Sequence, residues 1–168
     1  MTDALKQARS RFIDSWGEMG PKWGIAKTMA QIHALLMVSE KPLSTDDVML
    51  ELSISRGNAN MNLRSLADWG LIRRVFLKGD RKEYFQSEKD VWNMFCRIAR
   101  ERRKREIEPA IVGMQECLAL AEKDKASALF RERVNELLDL VKTLDYVLGK
   151  IAEQERNTIL PRIMKLLV

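Results

Sequence analysis

The sequence predicts a mainly α-helical protein with one small β-hairpin: a winged helix-turn-helix followed by long C-terminal dimerisation helices. Apolar residues recur three or four positions apart through most of the 168 residues, which indicates amphipathic helices. Between residues 72 and 86 the pattern changes to two short runs rich in Val, Ile, Phe and Tyr around a charged turn, which predicts a hairpin. We therefore divide the chain into an N-terminal helix that joins the dimer interface (1–22), a winged helix-turn-helix (23–87) and a helical dimerisation region (88–168).

Composition and charge narrow the class of protein. The chain is 46% hydrophobic and 32% charged, with a net charge of +5, which is ordinary for a globular chain. It holds no apolar run of the length a membrane-spanning helix needs, and charges stand where a signal peptide would be apolar. Cys96 and Cys117 lie too far apart along one helical region for a disulfide, which predicts two reduced packing thiols. We expect a cytoplasmic protein without membrane contact.

Three helices are predicted before residue 53. The first covers residues 3–19 and the second residues 23–38, each with apolar positions at helical spacing. Ser44 is the predicted N-cap of a third, short helix, because Asp47 then falls in the first turn, where a carboxylate favours the helix dipole.

A fourth helix, capped by Ser55 and ended by Gly70, carries the candidate recognition surface. Its predicted buried side consists of Ala59, Leu63 and Leu66. Steps of 100° then place on the opposite side Gly57, Met61, Arg64 and Asp68, flanked by Asn58, Asn60 and Ser65. Arg and Asn side chains pair with guanine and adenine, and glycine lets the helix N-terminus approach a phosphate. The alternative is a solvated helix face, but three Asn from 58 to 62 argue against it because Asn is a poor helix former.

The hairpin joins residues 72–77 to residues 83–86 through a turn that carries Lys78, Arg81 and Lys82. A helix-turn-helix followed by such a wing suits duplex DNA, because the helix fits the major groove and an Arg on the wing suits the narrow minor groove. A solvated charged tip is the alternative. Residues 44–87 hold seven basic and six acidic residues, so any DNA footprint must depend on the placement of the charges.

The C-terminal half is predicted to be helical from an N-cap at Ser87, first to about residue 122, with a kink or division at Pro109 and Gly113, and then over 126–156. The second stretch carries a heptad seam formed by Phe130, Val134, Leu137, Val141, Leu144, Leu148 and Ile151. Such a seam either forms a subunit interface, which Phe12 would join, or packs within its own subunit. An apolar tail from residue 158 would cover it. The basic run 97–105 either touches flanking phosphates or forms a solvated face.

Enzymatic function lacks the residues that it needs. The single histidine, His33, lies beside Ile32 and Leu36 with no ligand pattern around it, which predicts a structural role. The chain carries no nucleotide-binding loop, nucleophile motif or metal-binding motif, and its carboxylates are scattered. We predict no catalytic residues, no metal and no cofactor.

Three motifs carry a family resemblance: S-R-G-N-x-x-M-N-L-R-x-L at 55–66, W-G-L-I at 69–72 and G-D-R-K-x-Y-F at 79–85. With them, residues 23–92 resemble the GbsR branch of the MarR-type winged-helix transcriptional regulators. The resemblance implies a homodimer whose terminal helices form the interface and whose recognition helices enter successive major grooves. It also implies that Asp80 orients Arg81 in the wing.

The function predicted on these grounds is a homodimeric transcriptional regulator, a repressor, that binds specific double-stranded DNA. The predicted DNA-binding residues are Ser44, Thr45, Ser55, Arg56, Gly57, Asn58, Asn60, Met61, Arg64, Lys78, Asp80, Arg81 and Lys82. Some members of the branch resemble regulators that respond to choline-like cations, so release by a small-molecule effector is a further hypothesis. An aromatic cage would come from Trp16, Trp23, Trp92 and Tyr146, which otherwise are core residues. The alternative function is a dimeric winged-helix adaptor for another protein, since the charge of the module is nearly balanced.

Overall fold

The computed structural model describes residues 1–122, 124 and 128–155 and divides into two compact units, Met1–Val91 and a second that begins at Trp92. The first unit contains the helices α1 (Asp3–Met19), α2 (Lys27–Met37), α3 (Thr45–Leu52) and α4 (Arg56–Asp68), and the strands β1 (Leu43–Ser44), β2 (Ile72–Phe76) and β3 (Glu83–Ser87). The strands form an antiparallel sheet in the order β1-β3-β2, with Leu43 opposite Phe85 and Phe76 opposite Glu83. This is the predicted winged helix, with one additional strand.

Helix α2 is the centre of the core of the first unit. Its residues Ile32 and Leu35 are completely buried, as is Val48 of α3, and Leu63 and Leu66 of α4 are 1% exposed. Burial of a side chain of this size contributes about 1.5–3 kcal/mol relative to exposure. The predicted buried side of α4 is therefore confirmed. Because this side packs in the core, the opposite side of α4 faces solvent.

The predicted helix ends are confirmed at three places in this unit. Ser44 and Ser55 each accept a hydrogen bond from a backbone N–H in the first turn of the helix that follows. Gly70 has the left-handed φ of 70° that ends α4, and Leu71, which is buried, donates its N–H to the carbonyl of Leu66 at 3.0 Å. This arrangement is a Schellman-type termination.

Two local predictions are wrong, and one strand was not predicted. Helix α2 begins at Lys27 rather than Trp23, because Pro21–Trp23 forms a 3-10 turn that Gly24 ends with a φ of 75°. Strand β1 was not predicted, since two residues are too few to show an alternating pattern. Ser87 is not an N-cap: it is the last residue of β3, buried, and its hydroxyl donates to the carbonyl of Glu88 at 3.1 Å.

The second unit contains α5 (Val91–Arg102), α6 (Glu108–Ala121) and α7 (Ala128–Glu153), with a π-helical turn over Arg103–Ile107 between α5 and α6. Pro109 lies in the first turn of α6, so the predicted division at this proline is confirmed. Proline lacks an N–H and its ring conflicts with the carbonyl four residues earlier, which the wider π turn accommodates. Gly113 lies inside α6 without a break.

Arginines of α5 and the π turn hold α7 in place. Arg103 donates from Nε and Nη2 to the carboxylate of Asp145 at 2.6 and 3.1 Å. Arg97 and Arg100 both donate to Glu155, at 2.7 and 2.8 Å. Three arginines of the basic run thus pair with acidic residues of the second unit, and contact of the run with flanking phosphates stays a prediction.

The residues that the structure describes cover the heptad seam of α7 only in part. Phe130, Leu137 and Leu144 are 49%, 51% and 46% exposed, whereas the side chains that α7 buries are those of Leu138 and Ala152. The seam residues Val134, Val141, Leu148 and Ile151 are half-buried. Internal packing of the seam, the second possibility raised by the sequence, therefore accounts for only part of it. The predicted tail from residue 158 lies outside the described residues.

The two cysteines differ in their surroundings. Cys96 is buried in α5, and Cys117 is exposed on α6. The predicted packing role is confirmed for Cys96 and is wrong for Cys117, because position 117 faces away from the side of α6 that its unit covers.

Candidate nucleic-acid interface

The outward side of α4 is the centre of the candidate interface. Gly57, Met61, Arg64 and Asp68 are exposed, as predicted, and Met61 is 61% exposed. Nothing lies within 4 Å of where a Cβ on Gly57 would be, so backbone at the start of α4 is open to a large ligand. The exposed N-terminal turn of a helix favours an anion because its N–H groups and dipole point outward.

The asparagines of α4 have different roles. Asn62 is buried, and its Nδ2 donates to the backbone carbonyl of Asn58 at 2.8 Å and to the Asn58 Oδ1 at 2.6 Å. Asn60 is half-buried, and its Oδ1 accepts a hydrogen bond of 3.4 Å from the Thr45 hydroxyl. Only Asn58 and Asn60 were predicted to bind DNA, and they remain the candidate base-reading residues, whereas Asn62 has a structural role.

Ser44 belongs to the cap of α3 rather than to the exposed surface. It is 5% exposed, its hydroxyl accepts from the Asp47 N–H at 3.2 Å, and its own N–H donates to Asp47 Oδ2 at 2.8 Å. Asp47 here takes the place of the Glu or Gln of a typical capping box. We therefore leave Ser44 out of the candidate interface, because its side chain is occupied within the protein.

Asp46 connects α4 to the wing. Its Oδ1 accepts a hydrogen bond of 2.5 Å from Nη2 of Arg56 at the start of α4, and its Oδ2 accepts one of 3.4 Å from Nζ of Lys82 in the wing. The hydrogen bonds from Arg56 and Lys82 hold the pKa of the Asp46 carboxyl below its usual value. Asp46 was not predicted to belong to the interface, and its only feature in the sequence is an acidic side chain two positions after the helix cap.

The wing turn is organised by Asp80. Its Oδ2 accepts from the Tyr84 hydroxyl at 2.6 Å and its Oδ1 accepts from the Lys82 N–H at 2.9 Å, while Gly79 has a φ of 86°. The Tyr84 bond, followed by the Lys82 bond, lowers the pKa of Asp80, and the same contact raises the pKa of Tyr84. Asp80 thus fixes the backbone on both sides of the exposed Arg81. Its predicted effect on the Arg81 side chain stays a prediction.

The four candidate effector residues fall into two groups. In the first unit the ring of Trp16 contacts the edge of Trp23, with 5.2 Å between ring centroids, and Phe12 lies 5.7 Å from Trp16. In the second unit Trp92 donates its Nε1–H to the carbonyl of Gln154 at 3.0 Å, and Tyr146 is 65% exposed. The structure therefore brings Trp16 and Trp23 together.

His33 is a buried core residue, in agreement with the structural role predicted for it. It is 4% exposed in α2, and burial lowers its pKa to about 4. Over the described ranges the side chains form no group of three or more suited to a metal ion. Within the same ranges no helix is long and apolar enough to cross a membrane.

The arrangement of helix, turn, recognition helix and hairpin agrees with comparisons to known proteins. A sequence model of the MarR family matches residues 27–83, which include α2, the helix-turn-helix and the wing turn. Over these residues the chain resembles the MarR family. The relatives that it matches are named as transcriptional repressors.

The relatives extend the similarity beyond the winged helix. The chain is 25% identical over 133 residues to the HTH-type transcriptional repressor GbsR of Bacillus subtilis (strain 168), covering 79% of this chain and 71% of GbsR. It is 21% identical over 144 residues to the HTH-type transcriptional repressor OpcR of the same organism, covering 83% and 78%. A crystal structure of a transcriptional regulator, 21% identical, has the same fold, with a TM-score of 0.71 over 88% of this chain and 97% of that one.

Proposed function

We propose that this chain is a MarR-type homodimeric repressor that binds specific double-stranded DNA. The observation that carries the proposal is the exposed side of α4, where Met61 and Arg64 face solvent on a helix whose opposite side is fully buried. A recognition helix must be held rigidly in this way to present side chains to base edges. The names of GbsR and OpcR as transcriptional repressors support repression as the output.

Each part of the proposed interface has a distinct task. In the major groove, the Arg64 guanidinium would donate two hydrogen bonds to guanine, Asn60 would pair with adenine, and Met61 would contact a thymine methyl group. Backbone N–H groups at Gly57 would bind a phosphate. Arg81, exposed at the wing tip, would enter the minor groove, where the potential is most negative.

Dimerisation through the seam of α7 completes the proposal. An exposed apolar stripe at heptad spacing suits a second copy of the same helix, and a two-fold dimer places its recognition helices one helical turn of DNA apart. We extend the proposal to a cytoplasmic location and to release by a small-molecule effector. The contacting pair Trp16 and Trp23 is the most favourable effector site of the aromatic residues that the sequence singled out.

The decisive experiment selects duplexes from a random pool with purified protein at near-physiological salt. We expect an inverted repeat whose half-site centres are about one helical turn apart. Arg64→Ala and Asn60→Ala should each cost about 1–3 kcal/mol on this site and relax its sequence preference, whereas Lys82→Ala should weaken all duplexes alike and lower the salt slope by about one.

A matched control separates base reading from general charge. Lys142→Ala removes a cation from the exposed side of α7, outside the winged helix, and should leave both the affinity and the preference unchanged. Equal losses on selected and random DNA for Arg64→Ala and Asn60→Ala would remove the assignment of base-reading residues. Selection of no sequence at all would favour a winged-helix adaptor for another protein.

A further inference from the structure

Asp46 is an acidic residue placed between two cations of the proposed DNA-binding surface. Its two carboxylate oxygens are divided between elements that are distant in sequence, with Oδ1 on Arg56 at the start of α4 and Oδ2 on Lys82 in the wing. The three side chains are between 46% and 62% exposed. All three charges are therefore within reach of a large ligand that covers this surface.

The Asp46 carboxylate accepts hydrogen bonds from Arg56 and Lys82 as a DNA phosphate would. A phosphate group offers two anionic oxygens that accept hydrogen bonds from arginine and lysine, as the Asp46 carboxylate does here. We propose that Asp46 is an internal substitute for a backbone phosphate, which pairs with Arg56 and Lys82 in the free protein and lowers its affinity for any duplex. This inference rests on the proposed function, because it assigns a role to a residue of the same surface.

Helix capping does not account for this placement. The cap of α3 is complete without Asp46, since Ser44 and Asp47 satisfy each other's backbone N–H groups at 2.8 and 3.2 Å. The carboxylate of Asp46 instead reaches out to two cations on other elements. Exposed ion pairs of this kind are weak and exchange readily, so an incoming phosphate competes with Asp46 on nearly equal terms.

Counterion release makes the proposal measurable. When Arg56 and Lys82 move to phosphates, the DNA releases two cations, but the vacated Asp46 carboxylate attracts cations from solution and so offsets part of this release. Without that carboxylate the full release is observed. Each neutralised phosphate contributes about 0.9 to the slope of log affinity against log salt, so removal of Asp46 should steepen the slope by up to about 0.9 for each protomer bound.

The test measures binding of the full-length chain to a random duplex and to the selected duplex over a range of salt. We expect Asp46→Asn to raise the affinity for both duplexes by about three- to tenfold at low salt, as the loss of two competing exposed ion pairs implies, with the steeper slope. In the background of Arg56→Ala and Lys82→Ala, Asp46→Asn should raise the affinity no more than Asp68→Asn does, because the cations with which it pairs are absent and only its net charge remains to act.

Asp68→Asn is the matched control. Asp68 is exposed on the same side of α4, but it lies twelve residues beyond Arg56, which is about 18 Å along a helix. It should change affinity less than Asp46→Asn. An equal gain from Asp68→Asn would show that only net charge matters and would overturn the inference.

The remaining outcomes decide whether the inference, or the proposed function itself, fails. An unchanged or reduced affinity of Asp46→Asn would overturn the inference, and a reduced affinity would make Asp46 a positioning residue for Arg56 and Lys82. If the wild-type chain binds no duplex, the proposed function itself fails. If it binds the selected duplex and Asp46→Asn behaves like wild type, only this inference fails.

Discussion

The two units of the chain use the same helical periodicity of apolar residues in different ways. In the first unit Ile32 is completely buried and Leu63 is 1% exposed, because α2, α4 and the sheet enclose them within one chain. In the second unit Phe130 and Leu144 have the same spacing along α7, yet about half of each remains exposed. Periodicity therefore shows which side of a helix is apolar, and the packing alone shows whether the chain covers that side itself.

The two units share ion pairs between distant residues, and the first unit also has helix caps that act between neighbouring residues. The first unit ends its helices with caps, such as Ser44 with Asp47, which act within one turn. Both units contain ion pairs between residues distant in sequence, such as Lys82 with Asp46 in the first and Arg103 with Asp145 in the second. Among the described residues, the second unit buries fewer apolar side chains than the first, and a second copy that binds only the folded form would stabilise it.

The largest effect is expected from a charge placed in the exposed seam of α7. Leu144→Asp places a charge at the centre of the proposed dimer interface, and two-fold symmetry introduces it twice. Because an unpaired charge is strongly disfavoured in an apolar contact, dimer affinity should fall by more than roughly a hundredfold. Sedimentation should then detect monomers, while the first unit stays folded.

Thr143→Asp is the control for this change. It adds the same charge at the neighbouring exposed position, away from the seam, and should leave the dimer intact. A dimer that persists in Leu144→Asp would place the interface elsewhere and would make the exposed seam a property of α7 without a partner.

The same contrast explains how much of the fold could be predicted from the sequence. Helix ends with a local chemical cause were predictable, because Ser55 and Gly70 act on their own neighbours. Strand β1 was not, since it exists only where Leu43 and Ser44 meet β3, a contact far along the sequence. The buried Asn62 was also missed, because its bonds to Asn58 depend on which side of α4 the rest of the unit covers.

The candidate site shows the same division between local and distant causes. The exposed side of α4 was predictable from three apolar residues on the opposite side. The bridge from Asp46 to Arg56 and Lys82 was not, because it joins residues 36 positions apart. Ser44 was assigned to DNA and to capping at once, and only its burial separates the two roles.

The second prediction concerns the closed core of the first unit. Leu63→Ala removes a side chain that is 1% exposed in the first unit. Such a change leaves a cavity in a closed core and should lower the free energy of unfolding by about 2–5 kcal/mol. Chemical denaturation followed by circular dichroism measures this loss, and sedimentation should show an unchanged dimer.

Met61→Ala tests whether burial is the cause. Met61 precedes Leu63 by two positions on the same helix but is 61% exposed, so its truncation should change stability by no more than about 0.5 kcal/mol. Comparable losses for the two variants would contradict the closed core that distinguishes the first unit from the second.

The smallest expected effect concerns His33 and appears only in acid. Burial lowers its pKa from 6.5 to about 4, so the unfolded chain binds a proton more readily than the folded chain between these values. Above pH 6.5 His33 is neutral in both states and does not lower the free energy of unfolding. As the pH falls toward 4, the free energy of unfolding declines, by about 2 kcal/mol at pH 5 and about 3 kcal/mol in total.

His33→Leu separates this titration from that of the carboxylates. No hydrogen-bond partner of the His33 Nε2 is found among the described residues, so leucine at this position removes the titrating group without removing a bond to that atom. Its free energy of unfolding should vary less between pH 7 and pH 5 than that of the wild type, whatever its value at pH 7. Because His33 lies in the closed core of the first unit, the dimer should persist over this range. Parallel pH profiles for the two proteins would show that His33 is not the group that titrates.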